Sequence, residues 1–218
     1  MTKKLLFYGL FFVLLFVGFV FALNKLIPGF SEVKMPVLSN VQPFSFTSQD
    51  GKPVTDRDIS GKVCVVEYFF TTCKGICPKM NRNMKTVYEK FKGENNFLIL
   101  SHTVDPETDS VGRMKQYADS LGADSNTWLF LTGRKDSLYS AARLSYLLDD
   151  PKNNNGKMEE QFIHTQFFAL VDKNGSVRRI YDGLKQDELN ELMKDIDKLL
   201  VERTEKRSVN SLFNNNPQ

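Results

Sequence analysis

Two cysteines, Cys73 and Cys77, lie four residues apart between an apolar run and an amphipathic run of the chain. The apolar run predicts a strand, and the amphipathic run, which includes Pro78 in its first turn, predicts a helix. Residues four apart are neighbours on a helix, so both sulfurs can lie on one side of its first turn. A helix N-terminus favours the thiolate, which is both the nucleophile and the metal ligand. The pair can therefore be a redox couple or two ligands of a soft metal.

Three further side chains could complete such a site. His164 precedes a predicted strand, whereas His102 and Asp105 lie near the C-terminal end of another, an edge where ligands gather in open α/β sheets. Each also has a plain structural explanation: a histidine at a strand end, a buried core histidine, and an acid in the turn before a helix. The third cysteine, Cys64, lies inside an apolar strand and is predicted to pack in the core.

The elements that must position these residues alternate between strands and helices. Strands are predicted at 43–47 (an edge strand), 63–70 (a central strand), 96–104, 127–131, 166–172 and 176–181. Helices are predicted at 78–91, after the DPETD motif as far as Leu121, and at 136–147 and 187–201. The last two strands form a hairpin across an Asn-Gly turn. This order predicts an α/β layered fold with a mixed sheet flanked by helices.

Residues 5–23 carry no charge and follow two lysines. As a helix they would span roughly 28 Å, close to the hydrocarbon thickness of a bilayer. The positive-inside rule places the N-terminus in the cytoplasm and the rest of the chain outside. The alternative is a signal peptide cleaved near Ala22, but the run is longer than a usual signal core, which favours an uncut anchor. Without an Arg-rich presequence, we expect a bacterial inner membrane protein with a periplasmic domain.

The chain has 218 residues and a formal net charge of +3. Its composition predicts a cytoplasmic stub (1–4), a transmembrane anchor (5–23), a linker (24–42), one domain with a core (43–201) and a flexible tail (202–218). Basic and acidic residues are interleaved without a basic stripe, so a nucleic acid partner is not expected.

Three motifs in order resemble the Sco/SenC family. They are TTCKGICP at positions 71–78, VDPETD at 104–109, and HT at 164–165 followed by FALVDKNG at 168–175. The resemblance spans roughly residues 43–200 and implies a thioredoxin-like fold that binds copper through Cys73, Cys77 and His164. Asp105 matches the aspartate of the family's Asp-Pro motif and is a secondary candidate. Thioredoxins themselves have two residues, not three, between their cysteines, and a proline where this chain has His164 and Thr165.

The resemblance implies a protein that delivers copper to the copper centre of cytochrome c oxidase or reduces the cysteines of that centre. The expected partners are thus a respiratory oxidase copper subunit, or another copper or thiol protein, and the membrane. Two thiolates and an imidazole suit Cu(I) but also Zn²⁺, so the choice of copper comes from the resemblance. A copper metallochaperone is favoured over an enzyme. The alternatives are a thiol-disulfide oxidoreductase that uses Cys73 and Cys77 without metal, and a structural disulfide in a binding module.

Overall fold

The computed structural model describes residues 3–26, 35–150 and 165–202. The chain forms two units, Met1–Met35 and Pro36–Gln218. The first contains helix α1 (Lys3–Leu26), and most of its described apolar side chains are exposed. Within it, Lys4–Leu23 has a mean hydropathy of 2.7 and is long and apolar enough to cross a membrane.

The second unit is built on one eight-stranded sheet. Its strands are β1 (Ser39–Asn40), β2 (Ser45–Ser48), β3 (Pro53–Thr55), β4 (Val63–Phe69), β5 (Phe97–Thr103), β6 (Trp128–Thr132), β7 (Phe167–Val171) and β8 (Ser176–Asp182). Its helices are α2 (Cys77–Phe91), α3 (Val111–Leu121), α4 (Lys135–Ser140), continued by a π-helical turn (Ala141–Ser145), and α5 (Gln186–Val201). The strand order is β1-β8-β7-β4-β5-β6-β2-β3.

Strands β4, β5 and β6 are parallel and form the centre of the sheet. Every residue of β4 and β5 is buried, as expected for strands covered on both faces. The loops that follow β4 and β5 leave the sheet at the same edge. Strand β7 is antiparallel to β4 and therefore begins at this edge. The predicted mixed sheet and its central strand are confirmed. The predicted site residues Cys73, Cys77 and Asp105 follow β4 and β5 at this edge.

Helices cover the two faces of the sheet. On one face, α2 packs its buried methionines Met80 and Met84 inwards and lies beside α3, to which Asn81 is hydrogen-bonded. On the other face, α4 and the π-helical turn pack against β4, where the Tyr68 hydroxyl donates to the Leu138 carbonyl oxygen at 2.9 Å. Aromatic rings fill both layers, so the central strands are fixed from both sides.

Three local predictions differ from the structure. The strand predicted at 43–47 forms as β2, but it pairs with both β3 and β6 and is not an edge strand. The helix predicted at 136–147 changes to π-helical geometry at Ala141 and ends at Ser145. Strand β1 lies within the stretch assigned to the linker and pairs with β8. Most of the predicted tail, from residue 203 onwards, lies outside the described residues.

Candidate metal and thiol site

The cysteine loop connects β4 to α2. The amide of Cys73 donates to the Phe70 carbonyl oxygen at 3.2 Å, so the chain turns as soon as it leaves the strand. Helix α2 then begins at Cys77, with Pro78 in its first turn, and the preceding residue Ile76 provides no side-chain cap. The free N–H groups of this turn are therefore available to a nearby anion.

The sulfur of Cys73 lies at these N–H groups. Both cysteines are free thiols; Cys73 is partly exposed, and Cys77 is only 4% exposed. Partial burial raises the pKa of Cys73, but the Cys77 thiol and the backbone amides of Cys77, Gly75 and Ile76 donate hydrogen bonds to its sulfur, and the net effect lowers the pKa. Cys73 is thus the sulfur that more readily becomes a thiolate.

Cys77 has the opposite character. Burial raises the pKa of Cys77 to about 12, and the hydrogen bond that its thiol donates to Cys73 adds to this rise. The negative charges of Cys73 and Glu67 act in the same direction. The two sulfurs are in direct contact but unequal: an accessible one that ionises easily and a buried one that keeps its proton.

A buried acid lies behind the pair. Glu67 is fully buried on β4, and its Oε1 accepts a hydrogen bond from the Ser101 hydroxyl at 2.6 Å. The Ser101 oxygen in turn accepts from Trp128 Nε1 at 2.8 Å. Burial raises the pKa of Glu67 to about 7, although the Ser101 hydrogen bond lowers it in part. This carboxyl group therefore titrates near neutral pH and is close enough to influence Cys77.

The loop after β5 contains two aspartates in different surroundings. Asp105, the secondary candidate, is partly exposed; its Oδ1 lies 3.4 Å from the amide of Thr108, and its own amide donates to Thr103 Oγ1 at 2.9 Å. The structure thus places Asp105 in a turn. Asp109 is fully buried and accepts hydrogen bonds from Thr71 and Thr103, so it connects this loop to the cysteine loop.

His102 and Cys64 both lie in the core. The ring of His102 stacks on Tyr68, with 5.0 Å between centroids, and meets Phe46 edge-on. Burial lowers the pKa of His102 to about 3, so this imidazole stays neutral. Burial also raises the pKa of Cys64 to about 12, which makes it an unreactive thiol, and its predicted place in the core is confirmed.

His164, the third predicted ligand, lies outside the described residues. The next residue, Thr165, is buried and leads into β7 from the edge of the sheet where β4 ends. Within residues 3–26, 35–150 and 165–202, no three His, Cys, Asp or Glu side chains form a group that could hold a metal ion. The described structure thus brings Cys73 and Cys77 together, and the role of His164 stays a prediction.

Sequence reasoning did not identify Glu67 or Asp109. Glu67 had a visible signal, because it is the only charged residue in the otherwise apolar run at 63–70. A buried charge without a cationic partner is costly and commonly has a function. Asp109 had no such signal, because nothing in DPETD shows which acid faces the cysteine loop.

Known proteins share both the sequence and the fold. The family model for SCO1/SenC matches residues 36–201. The SCO1 protein homolog of Bacillus subtilis (strain 168) is 33% identical over 169 residues, which cover 77% of this chain and 86% of that protein. A solved structure of BsSco, a member of the Sco family of cytochrome c oxidase assembly proteins in which a disulfide switch was identified, is 30% identical. It has a TM-score of 0.66, and the match covers 78% of this chain and 100% of BsSco.

Bradyrhizobium japonicum ScoI, solved with copper bound, shares the fold at 23% identity and a TM-score of 0.58, over 74% of this chain and 99% of that one. The predicted thioredoxin-like architecture is therefore confirmed. The family model spans the whole described sheet, and with it the loop that contains both cysteines. The chain belongs to the SCO1/SenC family.

Proposed function

We propose that this protein is a membrane-tethered copper-binding protein that delivers copper to the copper centre of a respiratory oxidase or keeps the cysteines of that centre reduced. The contact between the free thiols of Cys73 and Cys77 at the start of α2 is the observation that carries this proposal. Membership of a family with a role in oxidase assembly supports a respiratory oxidase as the target.

The donor set suits copper as a cargo. Two thiolates are soft ligands that prefer Cu(I), and an imidazole is compatible with both Cu(I) and Cu(II). We assign the third metal-ligand position to His164. The next residue, Thr165, lies at the same edge of the sheet as the cysteine loop. Zn²⁺ accepts the same donors, so the choice of copper rests on the family, which includes members solved with copper bound.

Copper binding and thiol oxidation exclude each other at this site. Binding of Cu(I) by both sulfurs releases the two thiol protons, whereas oxidation to a disulfide removes two protons and two electrons. A Cys73–Cys77 disulfide cannot supply two thiolates. The protein can therefore load copper only in its reduced form.

A copper titration of the full-length chain in detergent tests the proposal. We expect about one Cu(I) per reduced chain, lost in Cys73→Ser and Cys77→Ser but retained in Cys64→Ala, whose sulfur is buried away from the site. His164→Ala should bind Cu(I) at least about tenfold more weakly, as expected for a lost ligand. His102→Phe, which alters the only other histidine, should bind like the wild type. Unchanged Cu(I) binding in His164→Ala would rule out His164 as the third ligand.

The inequality of the two sulfurs supports a second function, thiol-disulfide reduction without metal. Cys73, whose pKa is lowered, can attack a partner disulfide and release one partner thiolate. Cys77 can then lose its proton to the partner thiolate already released and attack the Cys73 sulfur of the mixed disulfide. This attack releases the second partner thiolate and leaves a Cys73–Cys77 disulfide. An external thiol reductant must restore the dithiol.

An assay of protein disulfide reduction separates the two functions. Metal-free wild type and His164→Ala should turn over equally if the protein is a reductase, because the imidazole takes no part in that chemistry. A protein that binds Cu(I) through His164 and shows no turnover in this assay is a copper carrier alone. Cys64→Ala is the matched control in both assays, because Cys64 is buried and its pKa is raised.

A further inference from the structure

Asp109 is a fully buried carboxylate that joins two loops. Its oxygens accept hydrogen bonds from the backbone amide of Thr71, at 3.1 Å to Oδ2, and from the Thr71 hydroxyl. Oδ2 also accepts from the Thr103 hydroxyl at 2.6 Å. Asp109 therefore binds both the main chain and the side chain of Thr71, which fixes the orientation of this residue.

Thr71 lies within the turn that places Cys73. The turn is closed by the hydrogen bond from the Cys73 amide to the Phe70 carbonyl oxygen, and Thr71 directly follows Phe70. A shift of Thr71 would move the Cys73 sulfur away from the N–H groups at the start of α2 and away from Cys77. The geometry of the sulfur pair thus depends on Asp109, which lies in a different loop from the two cysteines.

Asp109 is itself firmly placed. Its amide donates to the Asp105 carbonyl oxygen at 2.8 Å, and the next residue, Ser110, caps helix α3 by accepting from the Arg113 amide. Within the described ranges no salt bridge reaches Asp109, so its charge is balanced by hydrogen bonds. An asparagine at this position would have one acceptor oxygen and would direct an NH₂ group at donors, so it could not make the same contacts.

We propose that Asp109 is a positioning residue that, through Thr71, fixes the distance and orientation between the sulfurs of Cys73 and Cys77. A looser Thr71 lowers the effective concentration of one sulfur at the other, which weakens the disulfide. The same loosening separates two ligands of one metal ion. The first consequence needs only the thiol pair, whereas the second rests on the copper function proposed above.

Five variants of the full-length chain in detergent test this proposal. Asp109→Asn removes the carboxylate, and Thr71→Val removes one hydroxyl donor with little change of shape. Thr71→Ser keeps the hydroxyl. Thr103→Val is the matched control, because it removes another hydrogen bond to the same carboxylate but leaves Thr71 bound. Glu107→Gln controls for loss of an exposed charge in the same loop.

The disulfide equilibrium with glutathione is the first measurement. In Asp109→Asn and Thr71→Val, we expect about tenfold less disulfide at equilibrium, equivalent to a potential about 30 mV less negative, as for loss of one charge-assisted hydrogen bond. Thr71→Ser, Thr103→Val and Glu107→Gln should stay within about twofold of the wild type. Thr103→Val should nevertheless lose stability in a denaturant titration, since it leaves a buried acceptor short of a donor. Thr71→Val provides the result even if Asp109→Asn does not fold.

Competition for Cu(I) is the second measurement, with about tenfold weaker binding expected in the same two variants. Equal disulfide equilibria in wild type, Asp109→Asn and Thr71→Val would overturn the positioning role. So would a shift in Thr103→Val as large as that in Thr71→Val, because the effect would then follow stability. A shifted disulfide equilibrium in a chain that binds no copper would keep the positioning role and reject the copper function. Copper binding by the wild type with no change in any variant would do the reverse.

Discussion

Cys73 and Cys77 have the same side chain but differ in burial and in hydrogen bonding. Cys73 receives hydrogen bonds from the start of α2, whereas Cys77 is enclosed and donates one. Nucleophilic attack requires a thiolate, so the two residues should react at different rates. This difference determines which sulfur first meets a metal or a partner disulfide.

Alkylation with iodoacetamide at pH 7 should modify Cys73 first. Its pKa is lowered and it is partly exposed, whereas the pKa of Cys77 and of Cys64 is raised to about 12. Mass spectrometry of peptides from the metal-free, reduced chain would give the three rates, and we expect Cys73 to react at least about tenfold faster than either other cysteine. Cys64 serves as the internal control. Equal alkylation rates at Cys73 and Cys77 would contradict the conclusion that Cys73 ionises more readily than Cys77.

Glu67 should make stability depend on pH. The pKa of Glu67 is raised to about 7 in the folded protein from an ordinary value of 4.5. Below pH 4.5 the carboxyl group is protonated in both states; between these values the unfolded chain loses the proton while the folded chain retains it. The free energy of unfolding therefore falls as pH rises towards 7, by at most about 3 kcal/mol from this group.

Glu67→Gln should remove that decline, so denaturant titrations at pH 4.5 and pH 8 should show the variant gaining stability relative to wild type at the higher pH. The exposed change Glu94→Gln is the control and should leave the difference between the two pH values as it is. If wild type and Glu67→Gln respond to pH in parallel, the pKa of Glu67 is the same in the folded and the unfolded protein.

At the residue scale, the sequence predicted the sulfur pair but not the two buried acids near it, Glu67 and Asp109. Cys73 and Cys77 are recognisable because their spacing is local and helical. The role of Asp109 depends on two loops that meet only after β4 and β5 pair, and Asp105 looks equally suitable in the sequence. Tertiary contacts therefore decide which of two similar acids is buried.

At the scale of elements, the open end of the β7–β8 hairpin is closely packed against the middle of α2. Asn83 on α2 donates a hydrogen bond to the Gly183 carbonyl oxygen at 2.7 Å, and the Gly183 amide donates to the Gln166 carbonyl oxygen at 2.8 Å. A side chain at Gly183 has no room, because its Cβ would lie 2.5 Å from Phe168 Cζ and 2.8 Å from the Gln166 oxygen.

Gly183→Ala should destabilise the protein by about 1–3 kcal/mol through overpacking against the backbone. Gly93→Ala is the matched control, because a Cβ at Gly93 meets nothing within 4 Å. Denaturant titrations of both variants in parallel provide the measurement. A denaturation midpoint equal to that of the wild type for Gly183→Ala would show that the end of the hairpin accommodates the added Cβ without loss of stability.

Elements with a clear period were predictable, and those set by distant partners were not. The central strand and α2 differ from their predicted bounds by one residue, because burial on both faces and an amphipathic stripe leave strong patterns. Strand β1 has two residues and no period of its own; it exists because β8 offers an edge. The position of β2 between β3 and β6 is likewise a non-local property.

At the scale of the whole molecule, the first unit contains the apolar helix α1, and the second unit has a core of its own. We propose that it is an uncut anchor in a bacterial inner membrane and that the second unit lies on the periplasmic side. The family model begins at residue 36, so this proposal rests on α1 itself and not on the family.

Expression in a bacterial host should leave the full-length chain in the membrane fraction after alkaline carbonate washing. Deletion of residues 3–26 should release it, because Lys4–Leu23 is the one candidate membrane span in the described ranges. External protease added to spheroplasts should digest the second unit. Intact mass spectrometry gives the opposing outcome: a mature chain that begins after Ala22 would identify a cleaved signal peptide.

Trp128 is the only tryptophan in the 218 residues, so all indole fluorescence of this protein comes from one ring. That ring is joined through Ser101 to Glu67, whose charge is sensed by Cys77. A change of charge behind the sulfurs alters the electric field along the indole and hence its emission wavelength. The fluorescence of Trp128 should therefore report a change of charge at Glu67 in real time, without an added dye.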